Sequence, residues 1–423
     1  MLRGAIINLL VRSATARTGI ACLAAVLLAW YVHIVISVWR ADRLQDQGDE
    51  QSLEASAALQ PWNAETHWLL GRYFLSAAQN SRLGLAHLNR AVELDPYEAG
   101  YWLDIAEAYQ VKGEPAQSER ALAQALQAEP TSPVIAWKCA NFYLARNDVA
   151  HALPLLRVAI QYDPANTASA LDLSWRATKS VHQIIGELPP DPAPYFALLN
   201  ILIARNQPAQ ANELWHTLIS RKLEFPVETA FPYFDYLIRT DQIDQAENVW
   251  TDLRRRDDSP PNLIRNSGFE TEFLNGGFEW RYSELSQVDT TLDTREFHHG
   301  ARSLRFTFLG PAVADTGVYE YVPVQPNTAY RLSAFAKTQE INTASGPRLA
   351  VEDSSTRKVL AATDEFQETS GWKQRTADFV TGPDTRLVTV RVVRIPGNLL
   401  IKGTLWLDDI ELTPNPPAQS AMP

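Results

Sequence analysis

The sequence predicts a multidomain chain, α then β: a single transmembrane helix, an α-helical repeat solenoid and an antiparallel β-sandwich of jelly-roll type. Three observations carry this prediction. Residues 18–38 hold no formal charge. The segments RAVELDP, QALQAEP and RVAIQYDP close at Pro96, Pro130 and Pro164, two equal spacings of 34 residues. Near Asp257–Pro261 the composition turns from Ala, Leu and Gln to Thr, Val, Phe and Gly. A chain of 423 residues is long enough for two or three domains, and 46% hydrophobic with 21% charged residues fits a folded one. The net charge of −11 argues against nucleic acid as a partner, because neutralising phosphates needs a basic face. Two cysteines, Cys22 and Cys139, exclude a cysteine-held zinc cluster, an iron–sulfur site and a multi-bridge framework.

The apolar run Thr18–Val38 is 21 residues long, enough at about 1.5 Å per residue to span the hydrocarbon core. Tyr31 and Trp39 suit the outer interface. Arg3, Arg12 and Arg17 precede the run, whereas Arg40 and Arg43 are offset by Asp42, Asp46, Asp49 and Glu50. The positive-inside rule therefore makes residues 1–17 a cytoplasmic N-terminus and places the bulk of the chain outside the plasma membrane. A cleaved signal peptide is the competing reading. The run is long for one, and no clear small-x-small site follows it. Cys22 then lies in lipid and Cys139 alone outside, so no disulfide is expected.

Residues 41–256 read as a helical repeat array. Trp102, Ile105, Ala106, Tyr109, Gly113, Leu122 and Ala125 fall at helix-core and turn positions of one repeat. Cys139, Ala140, Tyr143, Ala152, Leu156 and Ala159 take the same offsets in the next. Leu70, Gly71, Phe74, Leu88 and Ala91 do so in the first, which has one extra residue in its turn. The pattern resembles the tetratricopeptide repeat (TPR) family over about Ala64–Pro164. A helix over Asp42–Leu59 is expected to cover the first repeat, since end repeats leave an apolar face open. Ala168–Ile185 reads as helix. Repeat-like hairpins follow at Tyr195–Arg205 with Ala209–Ile219, and at Glu228–Arg239 with Gln242–Leu253. In these, Ala211 and Trp215 recur as Ala246 and Trp250.

The resemblance implies a concave groove lined by the first helix of each repeat, where such proteins hold a protein or peptide partner. Trp68, Arg72, Leu103, Glu107, Trp137 and Asn141 would point into it. Packing between repeats is the other reading for Trp68 and Trp137, and a solvated face for Arg72 and Glu107.

Residues 262–414 carry strand signals separated by turn residues. In SLRFTFL, Leu304, Phe306 and Phe308 alternate with Ser303, Arg305 and Thr307. Further strands are expected at Gly317–Val324, Ala329–Lys337, Arg348–Asp353, Gly371–Val380, Leu387–Arg394 and Thr404–Leu412. The succession NLIRNSGFE, GFEW, GARSLRF, PNTAYRLSAFAKT, GWKQRTADF and LWLDDIEL resembles the carbohydrate-binding modules attached to xylanases and cellulases, within the galactose-binding-like sandwiches. That resemblance implies a possible polysaccharide partner held by exposed aromatic rings, with Trp280, Tyr282, Tyr319 and Tyr321 as candidates. Core packing is the alternative for Trp280, which follows Phe278 at strand spacing. Trp372 and Trp406 are implied to be structural. The resemblance also implies a structural calcium (Ca2+), held by Glu270 with Asp408 or Asp409. Strand-end capping is the other reading of those carboxylates. No other cofactor is expected. Residues 415–423 read as a disordered tail.

No catalytic constellation emerges. The sequence has no G-x-S-x-G elbow, Walker loop, H-E-x-x-H or dinucleotide fingerprint. The adjacent His298 and His299 read as a polar loop pair. Anchor, repeats and sandwich together leave no room for a separate catalytic domain. The expectation is a membrane-anchored scaffold without enzyme activity, assisting surface polysaccharide assembly or export. The alternatives are an envelope scaffold that binds only protein, or a carbohydrate-active enzyme or sugar sensor.

Overall fold

The computed structural model describes residues 14–253 and 262–415. Arg3 and Arg12, expected to lie in the cytoplasm, the composition change at Asp257–Pro261, and the tail beyond Asn415 lie outside the described residues. The chain divides into two compact units, one ending at Pro189 and the other beginning at Pro190.

In the first unit, helix α1 (Ala14–Gln45) contains one segment, Arg17–Gln45, long and apolar enough to cross a membrane, with a mean hydropathy of 2.3 in its most apolar window. The helix expected over Asp42–Leu59 is divided. α1 continues through Gln45, and α2 (Glu50–Leu59) starts afresh. Gly48 between them has φ +70°, and the Asp49 carboxylate caps α2 by accepting the Ser52 N–H at 3.0 Å. Glycine freedom and an aspartate cap outweigh helix continuity here.

Three antiparallel hairpins follow: α3 (Ala64–Ser76) with α4 (Ser81–Leu94), α5 (Ala99–Val111) with α6 (Pro115–Ala128), and α7 (Pro133–Ala145) with α8 (Val149–Tyr162). Their cores repeat with the sequence. Leu88, Leu122 and Leu156 are buried, as are Ala91, Ala125 and Ala159. Small residues bring the paired helices together, and a Cβ on Gly71 would stand 2.7 Å from the Leu88 side chain. Cys139 is a free thiol in this core, pushed up to about 11 by burial. The helix expected over Ala168–Ile185 is also divided, into α9 (Thr167–Thr178) and α10 (Val181–Ile185). Lys179, in the left-handed region at φ +53°, ends the first.

The second unit begins with two more hairpins, α11 (Pro192–Ala204) with α12 (Pro208–Ser220), and α13 (Phe231–Arg239) with α14 (Ile243–Leu253). The recurring Ala211, Trp215, Ala246 and Trp250 are all buried. The sandwich follows, with strands β1 (Arg281–Tyr282), β2 (Val288–Asp293), β3 (Ser303–Gly310), β4 (Asp315–Pro323), β5 (Ala329–Asn342), β6 (Arg348–Asp353), β7 (Val359–Ala362), β8 (Glu368–Val380), β9 (Leu387–Val393) and β10 (Ile401–Pro414). They form two antiparallel five-stranded sheets, β1-β4-β9-β6-β7 and β2-β3-β10-β5-β8. Strand alternation turns Leu304, Phe306, Val318, Val322, Val388, Val390, Leu405 and Leu407 into one shared core.

The compact units do not divide at the composition change. The helices α11–α14 belong with the sandwich, and an aromatic joint explains why. Phe278 meets Phe234 edge-on at 4.7 Å between ring centroids, with Trp250 at 6.2 Å. Backbone closeness makes this possible: a Cβ on Gly277, itself at φ +61°, would fall 1.7 Å from the Trp250 ring. Arg281 on β1 adds an ion pair to Asp235 on α13 at 2.6 Å.

Candidate functional site

Two surfaces gather the residues singled out in the sequence. The first is the face formed by the leading helices α3, α5 and α7. Trp68 does not stand open there. Its indole N–H donates to Asp104 Oδ2 at 2.6 Å, and its ring lies 5.6 Å from Tyr101. The Arg72 guanidinium covers that ring at 4.9 Å and approaches the same Asp104 at 3.7 Å. Trp68, Arg72 and Asp104 thus latch the first repeat to the second. Of the two readings of Trp68, inter-repeat packing is the one the geometry favours. Leu103 packs half-buried against the core of the repeats. Glu107 and Asn141 are exposed, and Asn141 donates to the Trp137 carbonyl one turn back at 2.9 Å. Asp104 was missed because no local pattern marks it; its role appears only when α5 packs beside α3.

The second surface is a cleft of about 610 Å³ in the second unit, between the α13–α14 hairpin and the outer face of the first sheet. In β4, burial alternates strictly, so Thr316, Val318, Glu320 and Val322 face the core while Tyr319 and Tyr321 face the cleft. Their rings meet edge to face at 5.3 Å. Burial, and after it the neighbouring Tyr319, pushes the Tyr321 phenol up. Arg281 lies over the Tyr321 ring at 5.4 Å. Arg239, Arg357 and Arg386 complete a cationic wall, set against Asp235, Asp241 and Asp384. Arg281 is paired with Asp235, and Arg386 with Asp244 at 2.8 Å.

One buried carboxylate fixes the cleft's loops. Asp353 Oδ1 accepts the Ser355 and Thr356 N–H groups at 3.1 and 2.8 Å and both of their hydroxyls. Its Oδ2 accepts the Thr385 hydroxyl at 2.5 Å. Burial raises its pKa, but these five bonds together outweigh burial and hold the carboxyl well below the usual range. Ser354, Ser355 and Arg357 on one loop, Asp384 and Arg386 on the other, and Leu387 at the start of β9 all line the cleft. Sequence reasoning missed Asp353 and the arginines, which come from four separate segments. The alternating tyrosines were the only local sign.

Of the other two glycan candidates, Trp280 is corrected and Tyr282 lies elsewhere. Trp280 is 1% exposed and packs on Phe269 at 5.3 Å, so its ring is core and cannot stack on a sugar. Tyr282 is half-buried against Phe273 at 6.1 Å and lies outside the cleft. Trp406 is buried, and donates to Asp293 at 2.9 Å. Trp372 is half-exposed beside His298 rather than in the core.

The three carboxylates tied to calcium do converge around Gly268. A Cβ there would meet Asp408 Oδ1, Asp409 Oδ1 and Glu270 Cγ at 3.6, 3.8 and 3.9 Å. Calcium takes six to eight oxygen ligands, and these three carboxylates are already in use as hydrogen-bond acceptors. Asp408 already accepts the His298, His299 and Asp409 N–H groups, at 2.7, 3.1 and 2.8 Å. Glu270 accepts the Ala301 N–H at 2.9 Å, and Asp409 bonds the His298 ring at 2.6 Å. Burial pushes the Asp408 carboxyl up. Among the described residues no group of three or more His, Cys, Asp and Glu is arranged to hold a metal ion.

The chain matches no protein-family model and no curated protein. Among solved structures it is similar to a carbohydrate-binding module described as "CBM4 structure and function", at 13% identity over 36% of this chain and 99% of that one, TM-score 0.28. It is similar to the CBM22-1 xylan-binding domain of Paenibacillus barcinonensis Xyn10C, at 14% identity over 36% and 94%, TM-score 0.25. It is also similar to PilW, a widely conserved type IV pilus biogenesis factor, at 18% identity over 46% and 93%, TM-score 0.24. Likenesses of this size carry no function across, and the fold rests on the elements described above.

Proposed function

We propose that this chain is a membrane-anchored extracytoplasmic scaffold: TPR-like hairpins recruit a protein partner, and the cleft of the second unit takes a polysaccharide segment. Its N-terminus would lie in the cytoplasm and its role would be assembly or export of a surface polysaccharide, without catalysis of its own. The observation that carries the reading is the pair Tyr319 and Tyr321 in a cleft walled by Arg239, Arg281, Arg357 and Arg386. Aromatic rings with a few convergent polar groups are what a sugar site needs. The cationic wall favours a glycan bearing carboxylates over a neutral one, because a guanidinium matches a carboxylate in two parallel bonds.

The test is affinity electrophoresis and calorimetry of the full chain in detergent with neutral and uronic-acid polysaccharides. Tighter binding to the acidic ones is expected, weakened about tenfold or more by the double change Tyr319→Ala, Tyr321→Ala. Trp280→Phe should leave affinity unchanged. Absence of binding to any polysaccharide would support a scaffold that binds only protein. Cleavage of a glycan by the purified chain would overturn the assignment of no catalysis.

A further inference from the structure

Helix α1 continues past its apolar run, and the place where it emerges has no part in the reading above. Trp39, Arg40, Arg43, Leu44, Asp46 and Gln47, with Leu59 from α2, line a cavity of about 620 Å³. The Arg43 guanidinium lies 5.2 Å from the centre of the Trp39 ring. Among the described ion pairs none involves Arg40 or Arg43, so both charges remain available.

Two hydrogen bonds fix the height of this cavity against the membrane. The Ser56 hydroxyl donates to the Ala41 carbonyl at 3.1 Å, and the Gln45 side-chain amide donates to the Thr66 hydroxyl. The first holds α2 antiparallel to α1, so α2 runs back toward the bilayer, and the second ties α1 to the first turn of α3. Leu59, three residues beyond Ser56, lies about 4.5 Å closer to it, level with Val38. The turn into α3 therefore sits at the height of Trp39, and it carries Trp62, 64% exposed. On the same rise Arg43 stands about 6 Å above Trp39, within the headgroup layer of about 5–8 Å.

We propose that this cavity is a phospholipid headgroup site. Arg40 and Arg43 hold the phosphate, Asp46 meets a headgroup hydroxyl or ammonium, and Trp39 and Trp62 sit at the interface on either side. Indole rings favour that depth, and guanidinium groups match phosphate. The bound lipid would fix how the first repeat stands on the membrane. The inference rests on α1 being a retained membrane span.

The test uses the full chain in vesicles of phosphatidylcholine with phosphatidylglycerol. In a chain carrying Cys22→Ala and Cys139→Ala, an environment-sensitive dye is attached at Trp62→Cys and, separately, at Val111→Cys, which is 80% exposed at the end of α5. A blue-shifted emission at position 62 and a water-like emission at position 111 are expected. Arg40→Gln with Arg43→Gln should lower the phosphatidylglycerol retained on the detergent-purified chain about fivefold, in native mass spectrometry. Extraction of the chain by alkaline carbonate would sink both the anchor and the site. A membrane-retained chain with water-like emission at both positions would sink the site alone. Loss of the retained phosphatidylglycerol on adding inorganic phosphate would show a general anion site and overturn the lipid assignment.

Discussion

The indole N–H of Trp68 donates to the Asp104 carboxylate at 2.6 Å, tying the leading helix of one repeat to that of the next. Solenoids gain stability from such neighbour contacts as well as from each hairpin, so breaking one should loosen the array from its first repeat onward. Trp68→Phe keeps an aromatic ring, though a smaller one, and removes the donor. It should cost about 1.5–3 kcal/mol, the range for a hydrogen bond to a charged group, read as a lower urea midpoint. An unchanged midpoint would make the contact incidental.

Leu122 is buried at the centre of the repeat core. Leu122→Ala should destabilise the first unit by about 2–5 kcal/mol, the cost of lost burial plus the cavity left behind. Thermal unfolding followed by circular dichroism checks this. A change below about 1 kcal/mol would contradict close packing of the second repeat.

Asp353 ties together the two loops that line the cleft, and its carboxyl is held below the usual range. A depressed folded pKa contributes stability that is fully present above the unfolded value near 4. That stability is lost as pH falls through the folded value. Melting temperature should therefore fall as pH drops below about 4, and Asp353→Asn should be less stable at pH 7 with a flatter acid limb. The same change should weaken glycan binding although Asp353 does not line the cleft. Identical acid limbs in both proteins would remove this role.

Trp250 and Phe278 join the helical hairpin to the sandwich. Trp250→Ala should cost about 3–5 kcal/mol and open the cleft by releasing α13 and its Arg239. Hydrogen exchange across α13 and α14 would rise. Unchanged exchange would mean that ion pairs such as Arg281 with Asp235 hold the hairpin unaided.

Calcium should leave the melting temperature unchanged within about 1 °C, because Asp408, Asp409 and Glu270 are already engaged by N–H groups and a histidine ring. A calcium site filled at a hundred times its Kd would instead add about 2.7 kcal/mol. An upward shift on titration, reversed by chelator, would restore the metal reading.

The sequence by itself determined the repeats, the apolar helix and the two-sheet class. Helix and strand periodicity are local, and a 34-residue period with proline stops is visible in any window that spans it. It named Tyr319 and Tyr321 among four candidate sugar contacts, and residues two apart on a strand share a face. Only tertiary structure decided which aromatics are exposed. Trp280, just before β1, and Tyr321, on β4, were both candidate sugar contacts, yet one lies in the core beside Phe269 and the other in the cleft. It also decided that α11–α14 group with the sandwich, through contacts between Phe234, Trp250 and Phe278. It brought Arg239, Arg281, Arg357 and Arg386 to one wall and set Asp353 beneath them. Such partners are separated by tens to more than a hundred residues, and no local pattern records which distant side chains packing will bring together.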